Sequence, residues 1–291
     1  MASTALPADA VRAAVEARLG PIEAFEPLPA GLDSQVFGVR KGTQALVARV
    51  NARSAGFLQD RLAARAFAST RLPIPEVLLV DDIGGAWLCI TRRAAGKRVN
   101  DFGDADAPAL VPALTAVLSA MAETSPPGGG FGPLDADCQA PFATWRGYLL
   151  GADHPSLRTV AASRPALVEI ERLAPEREPE RRLIHGDFGG ANVIADGRRI
   201  TGVIDWDLAM AGDALYDEAN LHFWREARLL PLTAALRYRA IGDPEWPRTM
   251  ACYGLRICLA ELAGALAGVN PVDPAWLAAR LDELLAEAKA L

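Results

Sequence analysis

Between Leu183 and Asp207 the chain reads LIHGDFGGANVIADGRRITGVIDWD. Acids and one amide stand at the ends of two short apolar runs. Asp187 precedes Asn192 by five residues, and Asp205 follows it by thirteen. Val193-Ile194 and Gly202-Val203-Ile204 are strand material, and Asp196-Gly197 is a strong turn signal, so the segment reads as a hairpin. Antiparallel partners lie about 5 Å apart. Asn192 and Asp205 are therefore expected side by side at the open end, with Asp187 on the loop leading in. Such hard oxygen ligands suit Mg²⁺, which takes one or two carboxylates and leaves positions for phosphate oxygens.

His185-x-Asp187-x₄-Asn192 also has the catalytic-loop spacing of kinase-like phosphotransferases, in which the Asp accepts the proton of the attacking hydroxyl and the Asn and a later Asp hold the metal. His-x-Asp by itself is a weak signal. With the Asn, the hairpin and the later Asp it is strong, against the bland alternative of a solvated loop with a capping acid. His185 follows the apolar pair Leu183-Ile184 and is expected to point inward and bond backbone. Asp207 reads equally as a substrate contact or a surface acid. Asp213 reads as the N-cap of the next helix or as an anchor for the loop.

These residues need a scaffold. Val11, Val15 and Leu19 recur at helical spacing. Two strands follow, Val36 to Arg40 and Ala45 to Val50, then a helix from about 54 to 69. A hairpin from Val77 to Thr91 turns at Gly84-Gly85. This is a small antiparallel sheet with one inserted helix. Beyond residue 97 the periodicity is helical, with spans near 106–124, 141–150, 163–174, 214–227, 231–240, 248–267 and 274–289. The hairpin interrupts them, and "SPPGGGFGP" is a loop. The expected class is α+β: a β-rich lobe over 1–93, a connection near 91–97, and a helical lobe over 94–291.

With 291 residues and 51% apolar content the chain can bury a large core. No apolar run approaches a membrane span, and the N-terminal residues read as a helix rather than a signal peptide. Cys89, Cys138, Cys252 and Cys258 fit neither a zinc nor a disulfide spacing and read as buried apolar residues. A cytoplasmic monomer is expected. The net charge of −6 argues against nucleic acid and suits a cationic small molecule.

"HGDFGGANV" followed by "VIDWDLAMAGDALYDEAN" resembles the aminoglycoside phosphotransferase family, which shares the two-lobed protein-kinase fold. "FASTRLPIPEVL", "CITRRAAGK", "GFGP" and "ANLHFWR" extend the likeness across residues from about 46 to 259. The resemblance implies transfer of a phosphoryl group from ATP (or GTP) with Mg²⁺ to a hydroxyl of a cationic aminoglycoside, hygromycin B being the first candidate. It implies Asp187 as base and Asn192 and Asp205 as metal ligands. Arg49 stands where most of the superfamily carries a phosphate-binding lysine, with Asp60 either its partner or a surface acid. Gly31 and Ser34 occupy the nucleotide-loop position, although "AGLDS" is a poor Gly-rich loop. Ile90 to Arg93 match the lobe connection, so Ile90 and Arg92 would read adenine through backbone. Trp224 could stack on a sugar or pack in the core. Asp207, Asp213, Asp217, Glu218 and Glu261 could meet ammonium groups. The segment after Trp224 departs from the family pattern, which bears on the acceptor more than on the reaction.

Three other readings compete. One keeps the reaction but takes another aminoglycoside, choline, homoserine or a sugar. One is a nucleotide-binding module without catalysis, which the joint presence of Asp187, Asn192 and Asp205 opposes. The last is a metal-dependent hydrolase, for which His185 alone is too few extra ligands.

Overall fold

The computed structural model describes residues 6–29, 34–151 and 155–291. They group into two compact units: residues up to Lys97 with Val193–Leu208, and Arg98–Asn192 with Ala209–Leu291.

The first unit starts with helix α1 (Ala8–Leu19) and strand β1 (Ala24–Pro27). Strands β2 (Gln35–Lys41) and β3 (Gln44–Asn51) follow, then α2 (Ala55–Ala66), β4 (Val77–Asp82) and β5 (Trp87–Arg92). The strands form one antiparallel sheet in the order β1-β2-β3-β5-β4. Alternation along β3 buries Leu46, Ala48 and Val50. They pack with Leu88 and Ile90 of β5 and with Val11 and Val15 of α1, the helix whose apolar spacing was evident. Helix α2 turns Phe57, Asp60 and Ala63 inward. A buried acid on that apolar stripe needs a partner.

The hairpin is present as β9 (Val193–Asp196) and β10 (Arg199–Val203), registered Val193 to Val203 and Asp196 to Arg199. Its turn is Gly197-Arg198 rather than Asp196-Gly197, with Gly197 at φ 60°. The hairpin groups with the first unit, so the units do not follow a single cut near residue 93. Contacts explain this. Val203 N donates to Pro73 O at 2.7 Å, and a side chain at Gly96 would overlap the Ala195 carbonyl. The chain leaves the sheet through the two-residue strand β6 (Lys97–Arg98).

The second unit is mainly helical: α3 (Ala107–Glu123), α4 (Trp145–Leu150), α5 (Ser163–Leu173), α6 (Leu215–Trp224), α7 (Leu230–Arg239), α8 (Glu245–Leu266) and α9 (Pro274–Lys289). Strands β7 (Gly132–Pro133), β8 (Arg182–Ile184) and β11 (Met210–Gly212) form a small sheet in the order β7-β11-β8. Two helices are shorter than their periodicity predicts. Helix α4 starts where Thr144 Oγ1 caps Gly147 N at 3.0 Å. Helix α6 stops because Arg225 turns left-handed, at φ 52°. Helix α8 is long and apolar enough to cross a membrane by length and composition alone, although Arg256 and Glu261 interrupt its apolar run. It is instead the core helix of this unit, with Cys252, Tyr253, Leu255, Cys258 and Leu259 fully buried. All four cysteines are buried and unpaired.

Candidate active site

Leu183 and Ile184 are fully buried in β8 and deliver the chain to the loop beginning at His185. The loop start is held by one carboxylate. Asp217, on α6, accepts from His185 N at 2.8 Å and from Gly186 N at 2.9 Å. Burial pushes its carboxyl up to about 6, and those two N–H bonds act against the rise. The His185 ring is fully buried, and its Nδ1 accepts from Asp187 N at 3.2 Å. It therefore shapes the loop backbone. Phe188 is buried edge-on to it, with ring centroids 6.1 Å apart.

Asp187 itself is half-buried. The Asn192 amide reaches back across the loop, donating through Nδ2 to Asp187 O at 3.0 Å and to Asp187 Oδ2 at 2.8 Å. Asn192 N donates to Gly189 O at 3.0 Å. The base candidate is thus an oriented carboxylate, and the Asn192 amide oxygen remains as an acceptor.

In the first unit Arg49 on β3 forms an ion pair with Asp60 on α2. Its guanidinium lies over the Phe57 ring at 5.1 Å and reaches Cys89 Sγ at 3.7 Å. Burial works against its charge, but Asp60, Cys89 and Asp205 outweigh it and hold Arg49 above the ordinary arginine range. The other Asp60 oxygen accepts from Trp206 N at 2.8 Å. Asp60 thereby ties Arg49 to the segment that carries Asp205. Asp205 and Asp207 are exposed, and Asp205 is left-handed at φ 68°.

Some expected contacts sit differently. Ile90 is fully buried in mid-strand, paired with Ala48 and Leu79. Arg92 still belongs to β5, with its N–H on Glu76 O at 2.9 Å and its guanidinium on Glu76 Oε2 at 3.3 Å. The connection therefore starts after Arg92, because β5 pairs on both sides up to that point. Ser34 Oγ accepts from Asn51 Nδ2 at 3.2 Å. Gly31 lies outside the described residues.

The acids expected to meet the acceptor are mostly engaged. Asp213 accepts from Tyr253 OH at 2.7 Å and from Leu215 N at 3.0 Å, starting α6. Glu261 Oε2 accepts from Asn270 Nδ2 at 2.9 Å and steadies the turn after α8. Glu218 accepts from Trp246 Nε1 at 2.9 Å. The Trp224 ring lies parallel to Trp276 at 5.8 Å and edge-on to Phe223, so packing accounts for its position. Two contributors escaped the sequence reading: Asn100, whose N–H donates to Gly190 O at 3.1 Å, and Glu226, which accepts from Gly190 N at 3.1 Å. The Gly189-Gly190 pair was the available signal, since adjacent glycines often mark close approach.

Among the described residues no three His, Cys, Asp or Glu side chains cluster as a metal cage. Mg²⁺ needs none, since it is held by one or two protein oxygens with phosphate oxygens and water. The Asn192 amide oxygen and the exposed Asp205 carboxylate are hard donors of that kind.

The sequence matches the phosphotransferase enzyme family (APH) over residues 24–252. It is 36% identical to hygromycin-B 4-O-kinase of Escherichia coli over 276 residues, covering 89% of this chain and 79% of that protein. It is 34% identical to homoserine kinase of Pseudomonas aeruginosa (strain LESB58) over 137 residues, 41% of this chain and 43% of that one. The fold superposes on aminoglycoside phosphotransferase APH(4)-Ia, in ternary complex with AMP-PNP and hygromycin B, with a TM-score of 0.89 and 32% identity, over 97% of this chain and 100% of that one. The architecture is accordingly the two-lobed kinase-like fold, a small antiparallel sheet lobe and a larger helical one.

Proposed function

The chain belongs to the phosphotransferase enzyme family, and from that premise we propose that it transfers the γ-phosphoryl group of ATP to a hydroxyl of hygromycin B. One observation carries the acceptor. Similarity to the hygromycin kinase runs through 89% of this chain, whereas similarity to the homoserine kinase covers 41%. A partial match of that kind supports the shared chemistry, not a shared acceptor. The reaction leaves the antibiotic phosphorylated, which is resistance by inactivation.

Asp187 is the general base. Its carboxylate, oriented by the Asn192 amide, takes the proton of the attacking hydroxyl. The hydroxyl oxygen forms the new bond to the γ-phosphorus, the bond to the β,γ-bridging oxygen breaks, and ADP leaves. Asn192 and Asp205 are the proposed Mg²⁺ ligands. The ion, when bound, neutralises charge on the phosphate oxygens. Arg49 is the phosphate contact from the sheet. Its guanidinium is a forked donor fixed by Asp60 and Phe57, so it holds a phosphate less adaptably than a lysine would. Ser34 and the backbone after Arg92 are the remaining nucleotide contacts proposed, and Asp207 is the proposed acceptor contact of this unit. The enzyme works where ATP is made available, in the cytoplasm, as a monomer.

Purified protein with ATP, Mg²⁺ and a panel of aminoglycosides tests the reading by mass. Gain of one phosphoryl group on hygromycin B is the expected result. Phosphorylation of homoserine or of kanamycin alone overturns the acceptor assignment.

A further inference from the structure

Three residues past Asp187 the loop backbone is gripped by side chains outside the His-x-Asp-x₄-Asn motif. Glu226 presents both carboxylate oxygens to Gly190 N–H, Oε2 at 3.1 Å and Oε1 at 3.3 Å. The residue before leaves room for it, since a Cβ at Gly189 would fall 2.5 Å from Glu226 Oε1. Gly190 is hemmed in from its own side, because a Cβ there would overlap Asn100 Oδ1. Its carbonyl accepts from Asn100 N at 3.1 Å. One residue, Gly190, is therefore held at both its N–H and its carbonyl by residues distant in sequence.

Glu226 is itself held in place. It follows the left-handed Arg225 that ends α6, and its own carbonyl accepts from Leu229 N at 2.9 Å. Arg225 reaches Glu283 at 3.5 Å and Glu287 at 3.7 Å on α9, and Arg228 pairs with Asp104. These pairs flank Glu226 on either side, and the exposed ones are each worth little. Among the described residues no Lys or Arg pairs with the Glu226 carboxylate. Its charge is directed at a backbone donor, the arrangement that makes a hydrogen bond strong.

We infer that Glu226 is a positioning residue for the base. By holding Gly190 N–H it fixes the Gly189-Gly190 backbone. Gly189 O then receives Asn192 N, and the Asn192 amide holds the Asp187 carboxylate. Glu226 sits in the segment after Trp224, so the stretch expected to serve the acceptor also sets the base. The inference rests on the reading of Asp187 as that base.

Steady-state kinetics of the full chain with ATP, Mg²⁺ and hygromycin B test it. Glu226→Ala is expected to lower kcat about tenfold, with both KM values within about twofold, as loss of one charge-assisted hydrogen bond implies. Glu226→Gln keeps an oxygen for Gly190 N–H and should recover most of that loss. Gly189→Ala displaces the carboxylate without removing it and should lower kcat similarly. The double variant should fall no further than the worse single one, because both changes remove one contact. The inference is overturned if Glu226→Ala and Glu226→Gln both raise the acceptor KM at unchanged kcat, which makes Glu226 an acceptor contact. It is overturned equally if the two losses add. Asp187→Asn is run alongside: wild-type turnover in that variant overturns the base assignment itself. An inactive Asp187→Asn with an unaffected Glu226→Ala overturns only the inference.

Discussion

The Asp217 carboxylate, buried on α6, receives the two consecutive backbone N–H groups of His185 and Gly186, at 2.8 and 2.9 Å. Burial raises its carboxyl from 3.8 to about 6. A group whose folded value is raised binds its proton more tightly in the folded chain. Its contribution to stability is complete below about pH 4 and is lost as pH rises through about 6. The shift corresponds to roughly 3 kcal/mol across that window. Urea unfolding from pH 4 to 7 is expected to show that decline in wild type. Asp217→Asn, which has no proton to bind, should make it shallower, leaving the part due to Glu218 and Glu261, whose carboxyls burial also raises, and should lower kcat because one of the two N–H groups loses its acceptor. A variant that keeps the wild-type slope places the titration elsewhere.

Asp187→Asn should lower phosphoryl transfer by about 10²–10⁴, the usual worth of a general base. Nucleotide binding should survive, since the change is nearly isosteric. Calorimetric titration with MgATP, paired with single-turnover transfer, separates the two effects. Transfer at the wild-type rate would remove Asp187 from the mechanism.

The motif and the hairpin were legible because they are local. The x₄ spacing, the strand pair Val193/Val203 and the cap at Asp273 all lie within short stretches, whereas Asp213, expected as a cap, stands one residue before the N-cap Ala214. What escaped was set by distant contact. Nothing near Glu226 in sequence reveals that its carboxylate meets Gly190, 36 residues earlier. The end of α6 was placed too late because Arg225, a good helix former, turns left-handed there. Ile90 resembles connection in sequence because apolar periodicity does not show where a central strand loses its second neighbour. The acids of α6 are among candidates of which only a subset is expected to meet the acceptor, and Asp217 and Glu218 are turned inward to protein donors.

Asp60 serves two donors at once, the Arg49 guanidinium and Trp206 N. Asp60→Ala therefore leaves a largely buried arginine unpaired and a buried N–H without its acceptor. Breaking one side of such a pair costs about 3–5 kcal/mol. Asp60→Asn can still accept from Trp206 N and should cost less. The urea midpoint is expected to fall in the order wild type, Asn, Ala. Equal midpoints for all three would mean that solvent replaces the carboxylate freely and that the pair does not organise Arg49.

Acceptor choice has to be made with few carboxylates. Hygromycin B and kanamycin are both cationic, so charge alone does not separate them, and the net charge of −6 attracts either. Asp213, Asp217, Glu218 and Glu261 are held by Tyr253, the loop backbone, Trp246 and Asn270. If those bonds persist when the acceptor binds, ammonium groups would meet other acids, and the proposed source of selectivity is the segment after Trp224. Orientation is demanding, since the reacting hydroxyl must come within about 3–3.5 Å of the phosphorus. An antibiotic held by charge but misaligned is bound and not turned over. Bacteria expressing the chain should therefore grow on hygromycin B and gain weak protection or none against kanamycin. Protection should vanish with Asp187→Asn at equal expression. Growth on graded doses of both drugs measures this directly. Kanamycin protection without hygromycin protection would show that the segment from Glu226 to Trp246 has moved the specificity, and would leave the phosphotransferase assignment standing without its acceptor.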